Sequence, residues 1–214
     1  NFEKDLVAKG LSQAQTKMKL TRTNAENSQA TSFGVNKGVV ILGDSVALRS
    51  KDQIESSIDN VAIDAVVSRN LSTINDLLKD YADSNALAKD VVIAGGVNEI
   101  DDYKGVINKM IKNLPKGHHI IFVTPYNGSK SGSKAVSLVQ LRKYELEMAK
   151  KYDFVTVADW YQVAKENISI WNGTDGVHFG SDSDSINRGA KLYTNTIKEA
   201  IAKANQKPVK GGKK

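Results

Sequence analysis

The sequence predicts a three-layer α/β/α sandwich built on a parallel five-stranded sheet. Apolar runs of strand length recur along the chain (VVIL, VVIA, IIFV). They are continuous rather than alternating, as parallel strands covered on both faces require. Segments of helical length separate them, so strand and helix alternate throughout the body. Right-handed crossovers then wind helices onto both faces, with a strand order of 2-1-3-4-5 expected. A length of 214 residues suits one such domain plus tails.

The elements follow in order. Residues 1–37 open with a helical pattern at Phe2, Leu6, Val7 and Leu11, then turn polar (TRTNAENSQATSFGVNK). That stretch reads as a linker with a helix at its start. Regular alternation begins at Gly38, with strand 38–44, a helix near 46–58, strand 61–68 and a helix near 71–85. Strand 90–97, a helix near 102–113, strand 119–125, a helix near 135–151 and strand 154–159 continue it. A short helix, a loop around 172–182 and a final helix near 185–204 close the domain, 38–204. GSKSGSK at 128–134 is flexible by composition, either a mobile rim or a plain connection, and 205–214 reads as a basic flexible tail.

Composition narrows the chemistry. Hydrophobic content of 40% and charged content of 25% are ordinary for a soluble globular protein. The chain has no cysteine, which excludes disulfides, thiolate nucleophiles and thiolate metal sites. Of its three histidines, His118 and His119 start an apolar strand and read as structural, so a histidine-rich metal site is not expected. The apolar runs are too short to span a bilayer. The net charge of +6 sits at the ends: residues 1–37 carry +3 and 203–214 carry +5, leaving the body at −2. A nucleic-acid-binding face is therefore not expected. Basic ends suit an anionic membrane or wall surface, or are simply solvated.

Four short segments carry candidate chemistry: Gly43-Asp44-Ser45-Val46, Val67-Ser68-Arg69-Asn70, Gly96-Val97-Asn98-Glu99 and Asp175-Gly176-Val177-His178. The first three leave the carboxyl ends of strands, the edge where open α/β sheets bind ligands. Ser45 opens a helix, so its amide lies where negative charge is favoured. It is read as a nucleophile, the alternative being an ordinary N-cap. His178 supplies the base a serine hydroxyl needs, and Asp175, three residues earlier, can hold its Nδ1–H. The alternative is a surface turn with an incidental histidine. Asp44 is read as structural. Asn98, with the amides of Ser45 and Ser68, is positioned to donate to an oxyanion, the alternative being a turn asparagine. Arg69, Tyr126 and Trp171 are candidate substrate-binding residues; Trp160 and Tyr161 read as packing.

These segments resemble the blocks of the SGNH (GDSL-like) hydrolase superfamily, with similarity over roughly residues 38–204. ILGDSV, DAVVSRN and DGVHFG are most similar to the extracellular domain of OatA-type peptidoglycan O-acetyltransferases. The resemblance implies the flavodoxin-like SGNH hydrolase fold and a triad of Ser45, Asp175 and His178, with Ser45, Ser68 and Asn98 as the oxyanion hole. It implies acetyl transfer through an acetyl-serine to the C6 hydroxyl of N-acetylmuramic acid, without metal or organic cofactor. It also implies a location outside the cell and an acetyl donor delivered by a membrane acyltransferase module reached through residues 1–37. The domain itself is expected to be monomeric. Two departures stand out: Ser68 replaces a glycine in the second block, and the third reads GVNE rather than GTNG. A carbohydrate acetylesterase or lipase-like hydrolase would use the same residues, and a non-catalytic wall-binding module would not need them.

Overall fold

The computed structural model describes residues 32–98, 100–129 and 132–213, excluding the side chains of 132–136. The helix expected at the start of 1–37 and the loop residue Glu99 lie outside these. Five parallel strands form one sheet in the order β2-β1-β3-β4-β5. They are β1 Val39–Gly43, β2 Val61–Ala65, β3 Asp90–Ala94, β4 His119–Val123 and β5 Val155–Ala158. The order, the parallel pairing and the layers are those expected. β1, β3 and β4 are buried at every position, which is why their sequences carry no alternation.

Helices α1 Ser45–Arg49 and α2 Lys51–Ser57 follow β1. Then come α3 Leu71–Asp83, α4 Tyr103–Asn113, α5 Gly132–Lys151, α6 Trp160–Glu166 and α7 Ser183–Ala204, with a 3-10 turn at Ile168–Trp171. One core layer places Val40 and Leu42 of β1 with α3, α4 and α5. The other places Val39 and Ile41 with α1, α2, α6 and α7. In α3 the buried residues Leu71, Ile74, Leu77, Leu78 and Tyr81 recur at helical spacing, giving a single apolar stripe.

Two expectations are corrected. The helix read as 46–58 is two, α1 and α2, meeting at Ser50. The Ser50 hydroxyl donates back to the Val46 carbonyl at 3.2 Å, and its N–H turns to Ala47 and Leu48. Such back-bonding bends a helix. The basic tail is also not loose over 205–213. Val209 is buried, the Lys210 N–H donates to His118 O, and the Gly117 N–H donates to Lys210 O. Lys210 Nζ donates to the Ile111 and Lys112 carbonyls, satisfying orphan acceptors at the end of α4.

Register sets the edge on which the site forms. Gly43 pairs level with Ala65 and with Ala94, so β1, β2 and β3 end together. The three loops carrying Ser45, Ser68 and Asn98 therefore leave the sheet side by side. Gly43 has a steric reason: a Cβ there would lie 2.5 Å from that of Ala47, so glycine lets α1 turn tightly onto its strand.

Candidate active site

Asp44 caps α1, its Oδ1 accepting the Val46 N–H at 3.0 Å, and so places Ser45 as the first helical residue. The Asp44 side chain is buried. Desolvation pushes its carboxyl up to about 6 against the opposing pull of the Val46 and Ala47 N–H groups and the charge of His178. Ser45 Oγ lies 2.7 Å from His178 Nε2, a contact across 133 residues of sequence. His178 Nδ1 lies 2.7 Å from Asp175 Oδ2.

The loop before α7 shapes itself around Asp175. Its Oδ1 accepts the N–H groups of Val177 at 2.9 Å and His178 at 2.8 Å, which fixes the Asp-x-x-His turn locally. Desolvation would raise this carboxyl, but the His178 ring and those two N–H donors outweigh it and draw the group down to about 2. Asp175 is thus an anion across the whole physiological range. Gly176, at φ +81°, sits against the backbone of Ser129, where a Cβ would come within 2.5 Å, and its carbonyl accepts the Gly128 N–H. The His178 and Asp175 side chains remain 38% and 57% exposed, so solvent reaches the pair.

Ser68 is exposed and holds a left-handed backbone at φ +61°. This accounts for glycine being the resembled residue at that position. Asn98 Nδ2 donates to the Arg69 carbonyl at 2.9 Å, tying the third loop to the second.

Tyr126 and Trp171 meet with ring centroids 5.0 Å apart, and Tyr161 sets its ring edge-on to Tyr126. Trp171 is pinned by its indole N–H on the Ala164 carbonyl at 2.8 Å. Tyr126 and Trp171, together with Lys165, Ile168 and Thr174, line a groove that reaches Asp175. Trp160 is buried, as its packing role required.

No profile of a known protein family matches the chain. Among solved structures it is similar to the C-terminal catalytic domain of Streptococcus pneumoniae peptidoglycan O-acetyltransferase A (OatA), determined with a methylsulfonyl adduct. The two are 45% identical with a TM-score of 0.80, over 83% of this chain and 99% of that one. The chain belongs to the OatA-type peptidoglycan O-acetyltransferase family. A protein of Bacillus subtilis (strain 168) named as a peptidoglycan O-acetyltransferase, YrhL, is 28% identical over 165 residues. The match takes in 77% of this chain but only 24% of that protein, so the chain spans about a quarter of its relative's length. A G-D-S-L lipolytic protein from Veillonella parvula shares the fold at 17% identity and TM-score 0.62, over 78% of this chain and 98% of that one.

Arg69 does not belong among the substrate-binding residues of this family member. It is buried beneath the strand ends, where it pairs with Asp64 at 2.8 Å and also donates to the Asp64 and Gly43 carbonyls. Tyr81 completes the cluster by donating its hydroxyl to Asp64 Oδ2. The signal for this was present: Asp64 interrupts the apolar strand VAIDA, and a buried carboxylate needs a counter-charge. Sequence reasoning also missed Arg49, at the end of α1. Its Nε donates to Phe179 O at 2.5 Å and its Nη2 to Gly180 O at 2.7 Å.

Proposed function

We propose that this domain moves an acetyl group through an acetyl-Ser45 intermediate to the C6 hydroxyl of N-acetylmuramic acid in peptidoglycan. The observation that carries the reading is the pair of 2.7 Å contacts joining Ser45 Oγ, His178 and Asp175. His178 Nε2 takes the Ser45 proton as Oγ attacks the acetyl carbonyl. The Ser45 and Ser68 amides and the Asn98 side chain hold the oxyanion, each donor contributing about 3 kcal/mol in the transition state. As the tetrahedral intermediate collapses, the imidazolium returns its proton to the departing group. In the second half-reaction the same nitrogen deprotonates the acceptor hydroxyl, which attacks the acetyl carbon, and the imidazolium returns that proton to Ser45 Oγ as the acyl–serine bond breaks. Asp175, ionised throughout, holds the tautomer and stabilises the imidazolium.

The Tyr126–Trp171 groove is assigned to the glycan acceptor, since flat rings suit the apolar faces of sugars and the groove reaches Asp175. The Streptococcus relative, 45% identical, is a peptidoglycan O-acetyltransferase by name, which supports the acceptor class. The reading places this domain outside the cell, with an acetyl donor delivered by a membrane module joined through residues 1–37; the Bacillus relative, only 24% of which is matched, is an example of such a domain within a longer protein. Hydrolysis is the competing outcome, favoured by the exposure of His178 and Asp175 whenever no acceptor fills the groove. The test offers an activated acetyl ester with and without a muramic-acid-containing glycan. Acetylated glycan from the wild type, and an acetyl group on Ser45 by mass spectrometry, support transfer. Acetate release indifferent to acceptor overturns transfer in favour of an esterase, and an unlabelled Ser45 overturns both.

A further inference from the structure

His178 sits on a loop, 172–182, that has no helix or strand of its own. Asp175 organises the turn locally, and the Gly176 carbonyl and the Gly180 N–H tie it to residues 128 and 170. None of those bonds reaches the element that carries Ser45. Arg49 does. It ends α1, the five-residue helix that Ser45 begins, and its guanidinium donates to two successive carbonyls immediately after His178. The same guanidinium lies 5.7 Å over the ring of Phe179, which is buried among Trp160 and Tyr193.

We infer that Arg49 is a positioning residue for acyl transfer, fixing His178 against Ser45 by clamping the Phe179 and Gly180 carbonyls to the nucleophile helix. This rests on the reading of Ser45 as nucleophile and His178 as base. The chemistry of the side chain fits the task. A guanidinium presents fixed, forked donors that bind two acceptors at once, and bonds from a cation are shorter and stronger than neutral ones. An ammonium at the same place is a single point of charge, able to complement the end of α1 but not to hold two carbonyls in register. The clamp and the nucleophile share one short rigid helix, so a shift of the loop is a shift in the Ser45–His178 distance. Displacing a catalytic group by about 1 Å costs about 100-fold in rate.

The test compares Arg49→Lys and Arg49→Gln with the wild type, using 4-nitrophenyl acetate and the rate of inactivation by methanesulfonyl fluoride. Measurements are made well below each variant's unfolding midpoint, with Ile107→Val in the distant core as a control for lost stability alone. Both Arg49 variants are expected to lose about 10- to 100-fold in kcat, with KM within about twofold and inactivation slowed by the same factor as kcat. Arg49→Lys keeps charge and fold, so it decides the matter if Arg49→Gln does not fold. Arg49→Lys at wild-type kcat overturns the clamp, as does a loss confined to KM or a loss equal to that of Ile107→Val. If the wild type itself fails to react at Ser45, the reading of nucleophile and base falls and the clamp falls with it.

Discussion

Asp44 stands beside Ser45 yet faces inward, and its burial makes a prediction about stability rather than catalysis. Its carboxyl is raised from 3.8 to about 6, mainly by desolvation. A group whose folded value lies above its unfolded one stabilises the fold fully below the unfolded value, and loses that contribution as pH rises through the folded value. The window here runs from about pH 4 to pH 6. A gap of about two pH units corresponds to about 3 kcal/mol over the whole titration, of which about 2 kcal/mol falls between pH 4 and pH 8. Asp44→Asn removes the titration while keeping a side-chain oxygen that caps α1 equally well. Urea unfolding of both proteins from pH 4 to pH 8 gives the difference in stability at each pH, in which the titrations of groups that do not interact with Asp44 cancel. That difference is expected to shift by about 2 kcal/mol in favour of Asp44→Asn on going from pH 4 to pH 8. Parallel stability curves, with a difference independent of pH, would show that Asp44 is ionised at no extra cost and refute the reasoning.

Three further outcomes follow from the site. Arg69→Met leaves the Asp64 carboxylate buried without its counter-charge, so denaturant unfolding is expected to show a loss of about 3–5 kcal/mol. The acceptor KM of the folded fraction, measured by glycan titration, is expected to stay unchanged. Ser68→Gly relieves a left-handed backbone worth about 1–2 kcal/mol and adds unfolded-chain entropy worth about 0.5–1 kcal/mol, for a gain of up to about 1.5 kcal/mol in a urea titration. Trp171→Ala removes one wall of the aromatic groove; the KM for a muramic-acid glycan is expected to rise several-fold, while kcat toward a small acetyl ester stays near the wild-type value.

The parts of this molecule that were legible in its sequence are those in which the chain describes its own surroundings. A continuous apolar run such as VVIL states that both faces of the strand are covered, and regular strand–helix alternation leaves few topologies. Those two facts bring the loops after β1, β2 and β3 to one edge before any side chain is considered. The Asp175–His178 turn is legible for a related reason: both of its N–H bonds and its ring contact close within three residues. Legibility fails where a side chain is addressed to backbone. Arg49 reaches the carbonyls of Phe179 and Gly180, 130 and 131 residues away, and a carbonyl has no residue identity for a motif to record. The docked tail fails in the same way, since Lys210 caps the Ile111 and Lys112 carbonyls while its composition reads as solvated. Arg69 shows the opposite error. It reads as a candidate substrate-binding residue, whereas Asp64, five residues earlier in an apolar strand, claims its charge. A charged residue near a site is best assigned first to the buried opposite charge that cannot exist without it, and to substrate only when that demand has been met.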